Sequence, residues 1–171
     1  RDYFVRTRVF DVRAAIADLS GKPLQGASTI TQQLIKSTLL TPQISIKRKI
    51  KEIILAFWAD RIYTKDQILE MYFNQIPYGG TAYGIEEASE RFFGKNAGEL
   101  TLAESAYLAA LPKAPSYYSP YGSHRAELEA RKNLILSEML RGGIITEEEH
   151  NTALAEDVVF TEKKNEGNIK A

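Results

Sequence analysis

Ser45-Ile46-Lys47-Arg48-Lys49-Ile50-Lys51-Glu52-Ile53-Ile54-Leu55-Ala56-Phe57-Trp58-Ala59-Asp60-Arg61-Ile62 decides the fold class. Thr41-Pro42-Gln43 breaks the chain ahead of it, and Ser45 supplies a hydroxyl able to accept from a free N–H of a first helical turn. Ile46, Ile50, Ile53, Ile54, Phe57 and Ile62 then recur at i, i+4, i+7 and i+8, the stripe of a long amphipathic helix. Its charges crowd the first turn and a half, Lys47-Arg48-Lys49-Ile50-Lys51-Glu52, where Glu52 shares a face with Arg48 at i, i+4 and with Lys49 at i, i+3. A solvated face with weak salt bridges would carry the same letters. Two features point further: the macrodipole disfavours cations at a helix N-terminus unless an anion is near, and their carboxylate lies within the most apolar helix of the chain.

Upstream, Gly26-Ala27-Ser28-Thr29-Ile30-Thr31-Gln32-Gln33-Leu34 gathers small hydroxyl and amide side chains at the start of another helix. Gly26 and Ala27 permit close backbone approach, Ser28 or Thr29 can cap, and Leu34, Ile35, Thr38 and Leu39 give the apolar spacing. Free N–H groups at such an end suit an anion, and Lys36 adds a charge one turn on. An ordinary polar helix start is the plainer alternative. Further upstream, Asp11 to Leu19 reads as a short helix stopped by Ser20-Gly21-Lys22-Pro23.

Downstream, Thr64 caps a helix with Ile68, Leu69, Met71, Tyr72 and Ile76 apolar, stopped at Pro77-Tyr78-Gly79-Gly80. Residues 84–93 read as helix and Gly94-Lys95 as a turn; Thr101 caps Leu102 to Leu111, with Glu104 at the capping-box position. Pro112, Pro115 and Pro120 predict an extended stretch holding Tyr117, Tyr118 and Tyr121. Ser123 to Arg141 is a further helix stopped by Gly142-Gly143, Thr146 opens a short last one, and the text from about Glu162 is polar and linker-like. Val158-Val159-Phe160 is the only short β-like run and no internal repeat occurs, so the class is all-α.

Composition bounds the function. At 44% hydrophobic over 171 residues the chain can bury a real core, as one domain or one domain plus a small lobe. Basic and acidic residues number 22 each, so no global field favours nucleic acid and any anion site must be local. Without cysteine there is no disulfide framework and no thiolate metal site. No run of about 18 apolar residues supplies a membrane-spanning helix. The text opens abruptly at Arg1-Asp2-Tyr3-Phe4 and reads as part of something longer. A third polar set, Lys65, Glu70, Tyr72, Asn74, Gly79, Tyr83 and Gly84, puts Glu70 and Asn74 at i, i+4, a pairing that buried groups tying helices together would share. His124 and His150 stand in polar contexts and read as surface residues.

In order, these segments resemble the peptidoglycan glycosyltransferase domain, glycosyltransferase family 51, of class A penicillin-binding proteins and monofunctional transglycosylases. The resemblance covers about residues 25–150. It rests on Gly26 to Leu34, on Arg48-Lys49-Ile50-Lys51-Glu52, on Lys65-Asp66-Gln67-Ile68-Leu69-Glu70-Met71-Tyr72-Phe73-Asn74-Gln75, and on Leu102 to Pro120 with Leu102, Glu104, Ala106, Leu108, Pro112, Pro115 and Tyr118. It implies a lysozyme-like helical lobe plus a small membrane-apposed jaw lobe, with a cleft between them. Residues 1–161 would form this domain, incomplete at its N-terminus, and 162–171 a linker to a following domain.

The implied reaction polymerises lipid II: the GlcNAc 4-hydroxyl attacks the MurNAc anomeric carbon of the growing chain, with inversion and release of undecaprenyl diphosphate. Such chemistry needs a base for the hydroxyl and positive charge for the departing diphosphate. By resemblance Ser28, Thr29, Gln32, Gln33 and Lys36 contact donor sugar and phosphate, and Arg48 and Lys49 the diphosphate. Glu52 matches a catalytic glutamate with an orienting or electrostatic role beside the leaving group, and Asn74 joins the substrate contacts. No cofactor follows from the motifs, and a divalent metal, Mg or Mn, is left open. The implied partners are lipid II and the glycan chain, the membrane surface, a C-terminal transpeptidase domain and cell-wall synthesis proteins, at the extracytoplasmic face of the bacterial cell membrane.

The family's first motif, Glu-Asp-x-x-Phe-x-x-His-x-Gly, carries the general base. Aligned on Phe4 and Asp11, that glutamate falls before Arg1, and Thr7 and Val9 occupy the His and Gly positions. Ile44 stands where relatives often have arginine, and Asp60 where they often have glutamate. Two other readings follow: a catalytically impaired relative that binds lipid II or scaffolds, and a lysozyme-like muramidase. The second would have no use for Arg48 and Lys49 beside Glu52. Leu39, Leu40, Ile44 and Ile46, apolar in a stretch that reads as loop, are expected to line the jaw at the bilayer.

Overall fold

Helix boundaries in the computed structural model, which describes residues 30–38 and 45–161, follow caps written in the sequence. The elements are α1 (Ile30–Thr38), α2 (Ile46–Ile62), α3 (Lys65–Gln75), β1 (Pro77–Gly79), β2 (Ala82–Tyr83), α4 (Ile85–Phe93), α5 (Leu102–Ala110), α6 (Arg125–Arg141) and α7 (Glu147–Ala155), with single 3-10 turns at Ala97–Glu99 and Leu111–Lys113. The Ser45 hydroxyl accepts from the Arg48 N–H at 3.1 Å. Thr64, Thr101 and Thr146 each form a reciprocal capping box with the residue three on, Gln67, Glu104 and Glu149. Gly94, left-handed at φ 66°, ends α4. The all-α class holds.

The core is organised by α5, whose nine residues are all buried. A helix of mostly small and apolar residues belongs in the interior, and its one charge, Glu104, is paired there with Lys95. Its alanines, Ala103, Ala106, Ala109 and Ala110, are buried and let neighbouring helices come close. Leu128, Ile135, Leu136 and Met139 of α6 lie in the same core with Ala88, Phe92 and Phe93 of α4 and Ala153 of α7. A buried cation ties α5 to α6: Lys132 donates to one Glu129 oxygen at 2.6 Å, and the Tyr107 hydroxyl donates to the other.

Four features differ from the reading of the sequence. Residues 112–121 are not extended; Pro112 is the second residue of the 3-10 turn Leu111–Lys113, and the Ala114 carbonyl accepts from the Tyr117 and Tyr118 N–H groups. Proline's fixed φ suits the first positions of such a turn as well as it suits extended chain. Val158-Val159-Phe160 forms no strand. Instead Phe160 packs its ring 5.3 Å from Phe93 and 5.1 Å from Tyr107. Among the described residues the strands are β1 and β2, an antiparallel pair in place of a simple helix stop, turned by Gly79 and Gly80 at φ 119° and 57°.

The fourth difference concerns α2. Its large apolar stripe points outward: Ile46 is 82% exposed, Trp58 55% and Ile62 67%, with Ile50, Ile53, Ile54 and Phe57 about half exposed. The buried residues are Glu52, Ala56 and Ala59, spaced i, i+4, i+7 on the opposite face. Ala56 and Ala59 pack on Ile35 of α1 as a second cluster apart from the main core. Small side chains there permit close helix contact, so the bulky ones are left on the outside.

Candidate active site

The two buried alanines of α2 lead directly to its carboxylate. Glu52 lies one turn before Ala56 on the same stripe and therefore on the side turned toward α1, and only 3% of it is exposed. A buried charge is costly unless paired. Lys49 Nζ meets Glu52 Oε1 at 2.6 Å, with the lysine side chain half in water and the glutamate side chain 4% exposed. Arg48 is half-buried, while Lys47 and Lys51 are exposed. Three lysines and an arginine thus gather on a capped N-terminus whose first-turn N–H groups add positive partial charge. That combination can hold an anion with more than one negative charge.

Helix α1 supplies the facing side chains. Leu34 enters the main core and Ile35 the cluster on α2. This leaves Gln32 half-buried and Gln33 and Lys36 exposed. Two long-range hydrogen bonds fix the helix from both sides. Thr31 Oγ1 donates to Asp60 Oδ1 of α2 at 2.6 Å, and Tyr72 Oη of α3 donates to Gln33 Oε1 at 3.1 Å. Sequence reasoning missed both pairs. The available signal was a tyrosine on the buried face of a helix, because a buried phenol O–H needs an acceptor.

Of the expected site residues, Lys49 and Glu52 are joined directly, and Gln32, Gln33 and Lys36 share the helix packed beside them. Asn74 is exposed on α3, two residues from Tyr72 and so on another side of that helix. Its carbonyl instead meets Gly84, where an added Cβ would sit 2.8 Å from the oxygen. Ser28 and Thr29, with the rest of Gly26 to Thr29, the Asp11 to Leu19 helix, the Phe4 and Asp11 positions, the apolar stretch at 39–44 and the linker at 162–171, lie outside the described residues. His124 is half-buried, its ring stacked 3.9 Å from that of Tyr117. Among the described residues no three His, Asp or Glu side chains converge to hold a metal ion.

Comparisons with known proteins identify the family. The family model described as transglycosylase matches residues 9–140. Penicillin-binding protein 1A of Rickettsia conorii is 43% identical over 164 residues, which is 94% of this chain and 21% of that protein. The Aquifex aeolicus protein of the same name is 48% identical over 144 residues, 84% of this chain and 20% of its own length. That of Escherichia coli is 46% identical over 146 residues, 85% of this chain and 17% of its own. The crystal structure of penicillin-binding protein 1A from Haemophilus influenzae aligns with a TM-score of 0.51 at 31% identity, covering 84% of this chain and 18% of that one. The chain spans about a fifth of the length of these curated relatives. With the family model matching well over half of its residues, the chain belongs to the transglycosylase family.

Proposed function

We propose that this chain is a peptidoglycan glycosyltransferase domain that polymerises lipid II. The GlcNAc 4-hydroxyl of one molecule attacks the MurNAc C1 of the growing chain; the C1–oxygen bond to undecaprenyl diphosphate breaks, and configuration at C1 inverts. The observation that carries the reading is the buried Glu52 carboxylate paired to Lys49 on a cation-rich helix start, facing a helix that bears Gln32, Gln33 and Lys36. The departing diphosphate is the most highly charged species in the reaction. Arg48, Lys49 and Lys36, with the N–H groups of the α2 first turn, neutralise it as it leaves. Glu52 holds the Lys49 ammonium in one place, so this charge does not have to be organised during the reaction. The attacking hydroxyl gives up its proton to a separate base. By the family resemblance Ser28 and Thr29 complete the substrate contacts.

The outward apolar stripe of α2 fits the same reading. A substrate with a long polyprenyl tail stays at the bilayer, and Ile50, Ile54, Phe57 and Trp58 are apolar side chains on the site helix able to enter that interface. The reading also gives the chain a membrane address on the extracytoplasmic face, with a transpeptidase domain following it.

The test offers the intact parent protein two substrates, undecaprenyl-linked lipid II and preformed glycan. Glycan chains growing from lipid II, with no cleavage of preformed glycan, are expected. Binding of lipid II without polymerisation would leave a non-catalytic relative, and cleavage of glycan would make the protein a muramidase.

A further inference from the structure

We propose that residues 156–161 are a latch: a strap with no regular structure of its own that caps α4 from 70 positions away and, through α4, holds the β1–β2 hairpin in place. The latch is independent of the reaction proposed above.

The last carbonyls of a helix have no partner inside it and need one from elsewhere. At the end of α4 the Glu90 carbonyl accepts from the Gly94 N–H at 2.9 Å. The next two are met by Thr161, whose N–H donates to the Phe92 carbonyl at 2.9 Å and whose hydroxyl donates to the Arg91 carbonyl. Gly94 leaves room for this approach, since a Cβ there would stand 3.3 Å from Thr161 Cγ2. Contacts from other elements hold the rest of the strap. Glu156 accepts from the Thr101 hydroxyl at the start of α5 at 2.7 Å, and Tyr121 Oη donates to the Thr161 carbonyl at 2.9 Å. Val158 is 6% exposed in the main core and Val159 76% exposed, the alternation of extended chain laid on a surface. Phe160, between Phe93 and Tyr107, also lies 5.3 Å from the Arg125 guanidinium of α6.

From α4 the restraint continues to the hairpin. Arg91 Nη1 donates to Thr81 Oγ1 between the two strands at 2.6 Å, and Nη2 would lie 3.0 Å from a Cβ on Gly80. Arg91 therefore meets the latch with its carbonyl and the hairpin turn with its side chain. A strap held by single hydrogen bonds and side-chain packing opens at lower cost than the core helices do. Its release leaves two α4 carbonyls without these donors and loosens the turn that positions Arg91. Displacement of the chain beyond Thr161 acts on this latch first.

Hydrogen exchange followed by mass spectrometry in the intact parent protein tests the latch, with α6 as the internal reference. Thr161→Val keeps the shape and removes the hydroxyl donor. It should speed amide exchange at the end of α4 about 5-fold, the scale of one neutral hydrogen bond, and in the hairpin to a smaller extent. Thr161→Ser keeps the donor and should exchange like the parent. Phe160→Ala removes the ring that anchors the strap. It should speed exchange roughly 10-fold or more in both α4 and the hairpin, against less than about 2-fold in α6. Unchanged exchange in α4 and the hairpin, an equal rise in α6, or a Thr161→Ser variant that behaves like Thr161→Val would each overturn the inference. Were Phe160→Ala not to fold, the valine and serine variants decide alone, since each changes one side chain at the edge of the core.

Discussion

Replacing Glu52 by glutamine separates a working carboxylate from a structural one. The side chain is 4% exposed and accepts from Lys49 Nζ at 2.6 Å, while the lysine side chain is 51% exposed. Half in water, that lysine contributes a screened attraction, and pairs of this kind are worth up to about 1 kcal/mol. The amide keeps the volume and one acceptor oxygen, and it avoids the cost of burying a full negative charge. The two effects oppose each other, so stability should change by under about 1 kcal/mol, a melting shift of roughly 2–4 °C at most for a chain of this size. Activity should respond on another scale. If Glu52 holds cations in place against the leaving diphosphate, the neutral variant should polymerise lipid II on the order of 100-fold more slowly, as when one preorganised electrostatic contact is lost. The assay follows labelled glycan chains by gel over time, beside calorimetric melting, in the intact parent protein. A glutamine variant that builds glycan at the parent's rate refutes the reasoning, and so does one whose slower rate comes with a melting temperature lowered by more than about 8 °C, twice the shift allowed above.

Ala56, 3% exposed against Ile35, lies in the contact between α2 and α1, so Ala56→Leu should cost about 1–3 kcal/mol by overpacking and should depress polymerisation further by moving α1; urea unfolding and the gel assay check the two effects. Phe57→Ser combined with Trp58→Ser should weaken co-sedimentation with anionic liposomes while leaving the melting temperature almost unmoved, since both rings are about half exposed, and unchanged sedimentation would count against membrane contact. Gly84 holds φ 83° and a Cβ added there would run into the Asn74 carbonyl, so Gly84→Ala should destabilise by on the order of 3 kcal/mol, read as a lowered urea midpoint; a midpoint equal to the parent's would show that the hairpin yields there.

Much of the fold is legible in the sequence because it depends on local rules. Ser45, Thr64, Thr101 and Thr146 announce helix starts through their own hydroxyls, and Gly94 and Gly143 announce stops through a positive φ that other residues avoid. The proline stretch misleads because proline fixes φ alone, and the ψ that separates extended chain from a 3-10 turn comes with Ala114 accepting two N–H bonds. The β1–β2 pair escapes notice because three residues against two are too few to show alternation. In the candidate site, Glu52 beside Lys49 is visible from i, i+3 spacing. The partners of Thr31 and Gln33 are not, because Asp60 and Tyr72 reach them from other helices and no local spacing encodes a contact across 29 or 39 residues.

The orientation of α2 shows why periodicity alone misleads about burial. The spacing of apolar residues says which of them share a face, not which face meets the protein. On α2 the protein-facing side is the narrow stripe of Glu52, Ala56 and Ala59, and the wide apolar side is exposed. Were the solvent only water, this would waste the burial of several isoleucines, each worth about 1.5–3 kcal/mol. It would also place a carboxylate in the interior with no offsetting gain. Both costs acquire a reason in the proposed setting, where the outward face meets lipid and the inward carboxylate organises charge for a diphosphate. The same arrangement explains why α1 needs polar ties. Its buried apolar contact with α2 is Ile35 against Ala56 and Ala59, small side chains that leave direction to the Thr31–Asp60 and Tyr72–Gln33 bonds. Hydrogen bonds are directional where apolar packing is not. Site geometry on α1 should therefore be more sensitive to the loss of these hydroxyls than overall stability is.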